Sequence, residues 1–324
     1  MDNLSRATVT IATGKPLYMN MAAALMRSYH YWNDNIPFVL ITDRDSDVPG
    51  DVAELDGVHV LRRPLQELGK GFSVKLYLDQ LSPADETLFL DADCLVTGPI
   101  DPAFERFREW SVTTVGALKD EGEWFGDLAA RCAHFNVPAI PVFVGCVYYF
   151  KKDEVAEAVF ETARDLVDRY DELGYVRLRD LPNEEPLLST GMALEGQEPI
   201  PDDGSLKADA MNFEEQIQVD VFEGVSRFEG DESKQTSWGV TSARPIVAHF
   251  NDTYAEAPPY TREQEKLERV YVDGWSPTFA SLYARFRHEL PYRAVEGVKD
   301  TGRPVYRALF GTRDVKKNPR VLEQ

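Results

Sequence analysis

Thr87-Leu88-Phe89-Leu90-Asp91-Ala92-Asp93-Cys94-Leu95-Val96 reads as a short apolar strand that ends in two aspartates, one residue apart. On an extended backbone, side chains two apart point the same way, so Asp91 and Asp93 are expected to aim together at one ion. Carboxylate oxygens suit hard divalent cations such as Mg²⁺ or Mn²⁺, which commonly hold phosphates. The simplest chemistry for such a pair is cleavage at a metal-bound diphosphate. Asp-x-Asp also arises by chance as a solvated turn after a buried strand, so its surroundings decide its meaning.

Upstream, Ala7 to Thr13 is rich in β-branched residues and reads as a buried first strand, broken by Gly14. Met19, Ala22, Leu25, Met26 and Tyr29 make a helical stripe within Tyr18–Tyr31. Pro37–Asp43 and Val58–Leu61 follow as strands, and Ser73–Leu81 as a helix with a serine cap that closes before Pro83. Strands alternating with helices predict an α/β domain with a mostly parallel sheet. Ligands of such sheets lie beyond the carboxyl ends of the strands, where Asp91 and Asp93 fall. Downstream, Val112–Leu118, Val142–Phe150 and Pro245–Phe250 read as strands and Asp153–Leu173 as a long amphipathic helix. Acidic residues 196–240 read as loops with small antiparallel strands, for example Gln216–Phe222, and the chain turns helical after Pro258-Pro259.

The 324 residues suffice for one large domain or two small ones, and 43% apolar composition supports a sizeable core. No apolar run is long enough to span a bilayer and the N-terminus lacks a signal-peptide pattern, so a cytoplasmic location is expected. Cys94, Cys132 and Cys146 are odd in number and widely spaced, which argues against a disulfide framework or a zinc cluster. A net charge of −20 repels nucleic acid. Residues 281–324 run against this trend with ten Lys/Arg and five Asp/Glu, leaving −25 on residues 1–280. In that tail Tyr283, Phe286, Leu290, Tyr292, Tyr306, Leu309 and Phe310 alternate with Arg285, Arg287, Arg293, Arg303 and Arg307. The expectation is a helix packed on the acidic domain by opposite charge. The alternative is peripheral docking on the anionic inner face of a membrane.

Other candidate residues have plain readings too. His249 follows an apolar strand and is either a satisfied core histidine or a third metal ligand. Lys75 is either a solvated lysine or a point charge for a phosphate or sugar hydroxyl. Glu184-Glu185 opens a helix, where acids are favourable for the dipole, and the pair can also face a cleft and hold sugar hydroxyls.

In order, Ser73-Val74-Lys75-Leu76, Thr87–Val96, Gly98-Pro99-Ile100-Asp101-Pro102-Ala103-Phe104, Phe143–Phe150, Glu184-Glu185 and Val247-Ala248-His249-Phe250 resemble the core of family 8 nucleotide-sugar glycosyltransferases. These are the glycogenin-like and lipopolysaccharide galactosyl- or glucosyltransferase-like enzymes of the GT-A fold. The resemblance covers roughly residues 7–255 in motif order. It implies a GT-A domain over residues 1–260, with residues 261–324 as a helical basic extension. It also implies a hexosyltransferase that moves a sugar from a nucleotide-diphosphate donor, such as a UDP-sugar, to a glycan, lipid-linked or small-molecule acceptor with retention. Asp91, Asp93 and His249 match the ligands of Mn²⁺ or Mg²⁺. Thr13, Tyr18, Lys75, Asp91 and Ala92 match the donor's binding segment, with Thr13 and Tyr18 bordering the nucleoside. Asp93, Glu184 and Glu185 match the catalytic group.

Three positions depart from the family. Val144-Gly145-Cys146 stands for its Asn-Ser-Gly turn, Glu185 for a glutamine, and Asn251-Asp252-Thr253-Tyr254 for Lys-Pro-Trp, with Arg262 some way on. Two other functions compete. A haloacid dehalogenase-type phosphatase also uses Asp-x-Asp after a strand, with Asp202-Asp203 as its later acid pair, but its motif usually comes first in the chain. A non-catalytic sugar-nucleotide-binding relative would keep the site without the reaction.

Overall fold

The computed structural model describes residues 4–65, 68, 71–213, 216–230 and 240–311. The chain opens with β1 (Leu4–Ile11), the Pro16–Trp32 helix, β2 (Phe38–Asp43), β3 (Val58–Arg63), β4 (Ala84–Leu90) and β5 (Cys94–Val96). After the Asp101–Phe107 helix come β6 (Val112–Thr113), β7 (Val115–Lys119), β8 (Ile140–Phe143) and β9 (Val147–Lys151). The Glu154–Asp165 and Glu184–Leu194 helices precede β10 (Ile200–Pro201) and β11 (Lys207–Asp209). The body ends with β12 (Gln216–Asp220), β13 (Val225–Glu229), β14 (Ser242–Ala243) and β15 (Val247–His249).

The central sheet has the order β3-β2-β1-β4-β9-β6. Its first four strands are parallel, and β9 runs antiparallel to β4 and β6. This is the mixed α/β architecture expected from the alternation of apolar runs. Side-chain alternation along β4 divides the core in two. Phe89 packs with Ala7, Val9, Phe150 and Phe160 on one face. Leu88 and Leu90 pack with Leu25, Phe38, Leu40 and Phe104 on the other. Burying both faces accounts for the near-continuous apolar sequence of these strands.

Several elements are shorter than their sequence pattern. Asp91, Ala92 and Asp93 form a turn rather than extended strand, closed by Cys94 N donating to the Asp91 carbonyl at 3.0 Å. The two carboxylates therefore converge through turn geometry, not through strand alternation. Val142–Phe150 breaks at Val144–Cys146 into β8 and β9, which lie in different sheets. Val112–Leu118 likewise divides at Thr114 between two sheets, because Thr114 Oγ1 donates to the Val147 carbonyl at 2.6 Å. The stretch expected as a helix over 73–81 is a 3₁₀ segment, Gly71–Tyr77, followed by one α turn, Leu78–Leu81. Arg164 takes the Leu76 carbonyl at 2.8 Å and Asp79 at 2.8 Å, tying this segment to the sheet's helical layer. The helix expected over 153–173 is capped by Asp153 on Ala156 N, ends at Asp165 and gives way to a 3₁₀ turn, Val167–Arg169.

The region 196–240 does contain small strands: β12, β13 and β14 form an antiparallel sheet, while residues 231–239 lie outside the described residues. Beyond the body, Tyr260 and Leu267 of the Tyr260–Tyr271 helix pack with Val219, Phe228 and Phe250. Lys266 bridges Asp220 at 2.7 Å and Glu263 at 2.9 Å. The Leu290–Phe310 helix is not packed on the body as the charge pattern suggests. Among its described side chains Glu296 alone is half-buried and the rest are exposed. Among the described residues its Leu290, Val295, Val298 and Leu309 find no core to join. Residues 312–324 of the basic tail, and the side chain of Phe310, lie outside what is described. Among the described residues no helix is long and apolar enough to cross a membrane.

Candidate active site

The site lies at the carboxyl edge of the parallel strands. β4 delivers Asp91 at its end, and the turn places Asp93 just before β5. β15 pairs antiparallel with β5, setting His249 opposite Cys94. Phe250 N donates to the Asp93 carbonyl at 3.0 Å, locking the histidine strand to the aspartate turn. One ligand atom from each of Asp91, Asp93 and His249 lies within 4.8 Å of the others. His249 Nε2 is 3.2 Å from Asp93 Oδ1. The histidine is thus no isolated core residue.

Lys75 enters from the 3₁₀ segment on the opposite side of Asp91. Its Nζ lies 2.8 Å from Asp91 Oδ1, 2.9 Å from Glu184 Oε1 and 2.9 Å from the Gly145 carbonyl. The ammonium also sits over the Phe89 ring, 5.5 Å from its centroid. Burial alone would strip the charge from Lys75, but Asp91 and Glu184 outweigh it and hold its pKa well above the usual range. The carboxylates respond differently. Burial raises Asp91 and Glu184 even though Lys75 pulls both down, and it raises Glu185 to about 8 with Glu184 adding to the rise. The two sides agree once charge is counted. Four carboxyl groups, Asp91, Asp93, Glu184 and Glu185, share the cationic groups Lys75 and His249, so the lysine is over-compensated and the acids are not.

Glu184 and Glu185 begin their helix behind an Asn183 cap. Glu184 is 1% exposed, and its second oxygen, Oε2, has no hydrogen-bond partner among the described residues. The Tyr148 hydroxyl and the Asn183 amide nitrogen are also buried without partners among the described residues. Leaving buried polar atoms unpaired costs about 1–3 kcal/mol each, so such a cluster beside a charged cleft marks a place for polar ligand atoms. Glu185 Oε1 accepts from Gly145 N at 2.8 Å. Only glycine fits there: a Cβ at 145 would come 2.3 Å from the Tyr148 hydroxyl oxygen and 2.8 Å from Glu185 Cγ.

Thr13 and Tyr18 lie at the same sheet edge, in the loop after β1 and at the start of the first helix. Thr13 is half-buried and Tyr18 is 42% exposed, with Lys15 Nζ 5.9 Å from its ring centroid. Ala92 is partly buried at the turn between the two aspartates. Arg262 is drawn elsewhere: it pairs with Glu263 at 2.9 Å and Glu289 at 2.8 Å. Asp202 accepts from Gly204 N at 2.9 Å, and Asp203 is engaged by Arg106 at 3.1 Å and by Ser205, so the later acid pair of a phosphatase is held in contacts of its own.

Sequence reading missed a second group behind His249. Asp209 Oδ1 is 2.7 Å from His249 Nδ1, Asp209 Oδ2 accepts from Lys207 Nζ at 2.7 Å, and Cys146 Sγ lies 3.3 Å from Asp209 Oδ1. The available signal was Lys207-Ala208-Asp209, two opposite charges alternating on one strand between apolar neighbours. Lys207 and His249 outweigh burial and hold Asp209 well below the usual carboxylate range. Burial opposes a charge on His249, but Cys146, Asp93 and Asp209 outweigh it and raise its pKa.

No protein-family model and no curated protein matches this sequence. Solved structures do match its fold. The glycosyltransferase GlyE of Streptococcus pneumoniae TIGR4 aligns at 17% identity and TM-score 0.39 over 60% of this chain, which spans only 45% of GlyE. Mouse xyloside xylosyltransferase 1 aligns at 12% identity and TM-score 0.48, over 77% of this chain and 98% of that one. The galactosyltransferase LgtC, solved with donor and acceptor sugar analogues, aligns at 12% identity and TM-score 0.51 over 86% of this chain and 95% of its own. On that full-length superposition and the sheet described above, this chain has the GT-A fold.

Proposed function

We propose that this protein is a metal-dependent glycosyltransferase of the family 8 type, transferring a hexose from a UDP-sugar to a carbohydrate-bearing acceptor with retention. The observation that carries the reading is the convergence of Asp91, Asp93 and His249 at the ligand-binding edge of a GT-A sheet. Two carboxylates and an imidazole form a donor set suited to Mn²⁺ or Mg²⁺. The surplus of carboxyl groups over cations, with Asp91 and Glu184 raised by burial, supports the fit, since a divalent cation would relieve it. Residues 1–260 form the transferase domain in this reading, and residues 261–324 a basic extension.

An ion held by Asp91, Asp93 and His249 would supply positive charge to neutralise a departing nucleoside diphosphate. Lys75 orients Asp91 and links it to Glu184, so that the donor's phosphate and sugar ends are held by one rigid network. Glu184 Oε2 and the Tyr148 hydroxyl, both lacking partners, are suited to sugar hydroxyls. Glu185 replaces the glutamine of the family. Raised to about 8, it keeps its proton near neutrality and can donate a hydrogen bond as an amide would. Thr13, Tyr18 and Ala92 border the nucleotide.

A donor panel tests the proposal: UDP-sugars with Mn²⁺, slow donor hydrolysis as readout, and chelator and Asp93→Ala as controls. Hydrolysis insensitive to both rejects the metal role. UDP binding without hydrolysis or transfer identifies a binding protein, and phosphate release from simple phosphoesters a phosphatase. For the extension, the exposed stripe Phe279, Leu282, Phe286, Val295, Val298 and Leu309, flanked by arginines, supports docking on an anionic bilayer at the cytoplasmic face. Flotation of the full chain with phosphatidylserine vesicles against neutral vesicles tests this. Equal recovery with both rejects it.

A further inference from the structure

His249 is held from behind by a buried ion pair that the reading above does not use. β11 runs parallel to β15 with Asp209 opposite His249, while β5 brings Cys94 opposite His249 on the other side. The imidazole therefore stands between two carboxylates, one on β11 and one in the turn that leads into β5: Asp209 at 2.7 Å from Nδ1 and Asp93 at 3.2 Å from Nε2. A ring flip or rotation would break both contacts. Asp209 is itself fixed, because its other oxygen accepts from Lys207 at 2.7 Å, and neither side chain is more than 5% exposed. Lys207 and Asp209 lie two apart on one strand, so the same backbone places both.

Taking such a pair out of water is costly and by itself is weak ground for stability. Its geometry has a use, however. A histidine that binds a metal through one nitrogen needs the other nitrogen's proton held by an acceptor, which fixes tautomer and ring orientation. We propose that Asp209, anchored by Lys207, is the positioning residue of the cation site, holding His249 with Nδ1 protonated and Nε2 turned to Asp91 and Asp93. This rests on the proposed metal site and adds to it a buried carboxylate–imidazole relay contributed by a third strand.

One competing arrangement exists in the same place. Cys146, Asp209 and His249 also offer ligand atoms within 4.8 Å of one another. A cation there would face the Lys207 ammonium on Asp209 and would need the Nδ1 that Asp209 already engages, so the positioning role is favoured.

The test measures Mn²⁺ affinity of the full chain by electron paramagnetic resonance of free Mn²⁺, with UDP present. Wild type, Asp93→Ala, Asp209→Asn, and the double variants Asp209→Asn/Lys207→Met and Asp209→Ala/Lys207→Met are compared. The double variants remove the stranded lysine, so that the pocket can stay folded without its charges. Loss of the orienting carboxylate is expected to weaken Mn²⁺ binding about 10- to 100-fold, more for the alanine form than for the asparagine form. If donor hydrolysis is present, saturating Mn²⁺ restores kcat while the metal KM stays high. Nitrogen-15 NMR of the imidazole with saturating Mg²⁺, which is diamagnetic, reports the tautomer directly, expected as Nδ1–H with Nε2 on the ion in wild type and mixed in the variants. If wild type binds Mn²⁺, Asp93→Ala abolishes it and folded Asp209 variants match wild type in affinity and tautomer, the positioning role is wrong and the site stands. If Asp93→Ala binds as wild type does, or neither binds, the site itself is wrong and the role falls with it. Tight binding of a thiophilic ion that is lost in Cys146→Ser overturns the role in favour of the competing arrangement.

Discussion

The cleft around Asp91 and the Leu290–Phe310 arm invert the usual arrangement in opposite senses. The cleft buries charge; the arm exposes hydrocarbon. In the cleft, each buried cation has partners within 3 Å, as Lys75 does in Asp91 and Glu184 and Lys207 in Asp209, yet negative charge still exceeds positive. Along the arm, Val298 is 73% and Leu309 70% exposed, and no other part of the described chain covers them. Isolated exposed apolar side chains are ordinary, but a repeated stripe with basic flanks is not. The contrast teaches that unfinished electrostatics and unfinished burial are separate properties, and the guests proposed above differ accordingly: a small cation in one place, an apolar surface in the other.

The two regions can be separated experimentally. Asp93→Ala has the largest expected effect. A divalent ion at a leaving diphosphate is worth several kcal/mol, so metal-dependent donor hydrolysis should fall on the order of 10³-fold. Vesicle recovery should stay unchanged, and a parallel loss of recovery would mean that the regions are not independent.

Gly145→Ala comes next. Its new methyl would meet Tyr148 and Glu185 in the interior. Overpacking of this kind costs about 1–3 kcal/mol, read as a lower denaturant midpoint together with weakened donor turnover. Unchanged stability and turnover would show that this wall yields.

Glu185 gives the pH dependence. Its folded pKa of about 8 lies above the ordinary 4.5, so the folded chain holds this proton more tightly than the unfolded chain. The contribution to stability is fully present below pH 4.5 and is lost as pH rises through 8. The slope is at most about 1.4 kcal/mol per pH unit. Glu185→Gln removes the titration, so wild type should lose more stability than the variant between pH 5 and 8. Superimposable pH–stability curves would contradict the buried, protonated state.

The smallest effect on the body is expected from Phe286→Asp. Phe286 is 62% exposed, so folding stability should move by less than about 0.5 kcal/mol. Removing one large apolar contact should weaken vesicle binding about tenfold, with donor hydrolysis in solution unaltered. Retained vesicle recovery would leave the arm for another partner.

Much of the framework was legible in sequence for a local reason. β1, β2 and β4 are buried on both faces, so their apolar runs needed no knowledge of neighbours. Asp91, Asp93 and His249 were legible as candidates, because their residue types restrict what they can bind; the turn that brings the two aspartates together was not. The boundaries were not. The breaks at Thr114 and Val144–Cys146 depend on which sheet each half joins, which is a long-range choice. The 3₁₀ form of Gly71–Tyr77 goes with a distant arginine, Arg164, that takes its Leu76 carbonyl.

By itself the sequence determined an α/β body, the aspartate pair at a strand's end and a basic tail of opposite sign to the rest. Periodicity and charge are properties of neighbours along the chain. The tertiary structure alone decided that Lys75, Glu184 and Gly145 share one network, that Asp209 stands behind His249, and that the last helix lies bare. Those facts depend on strand pairing between distant segments, and no local pattern encodes that pairing.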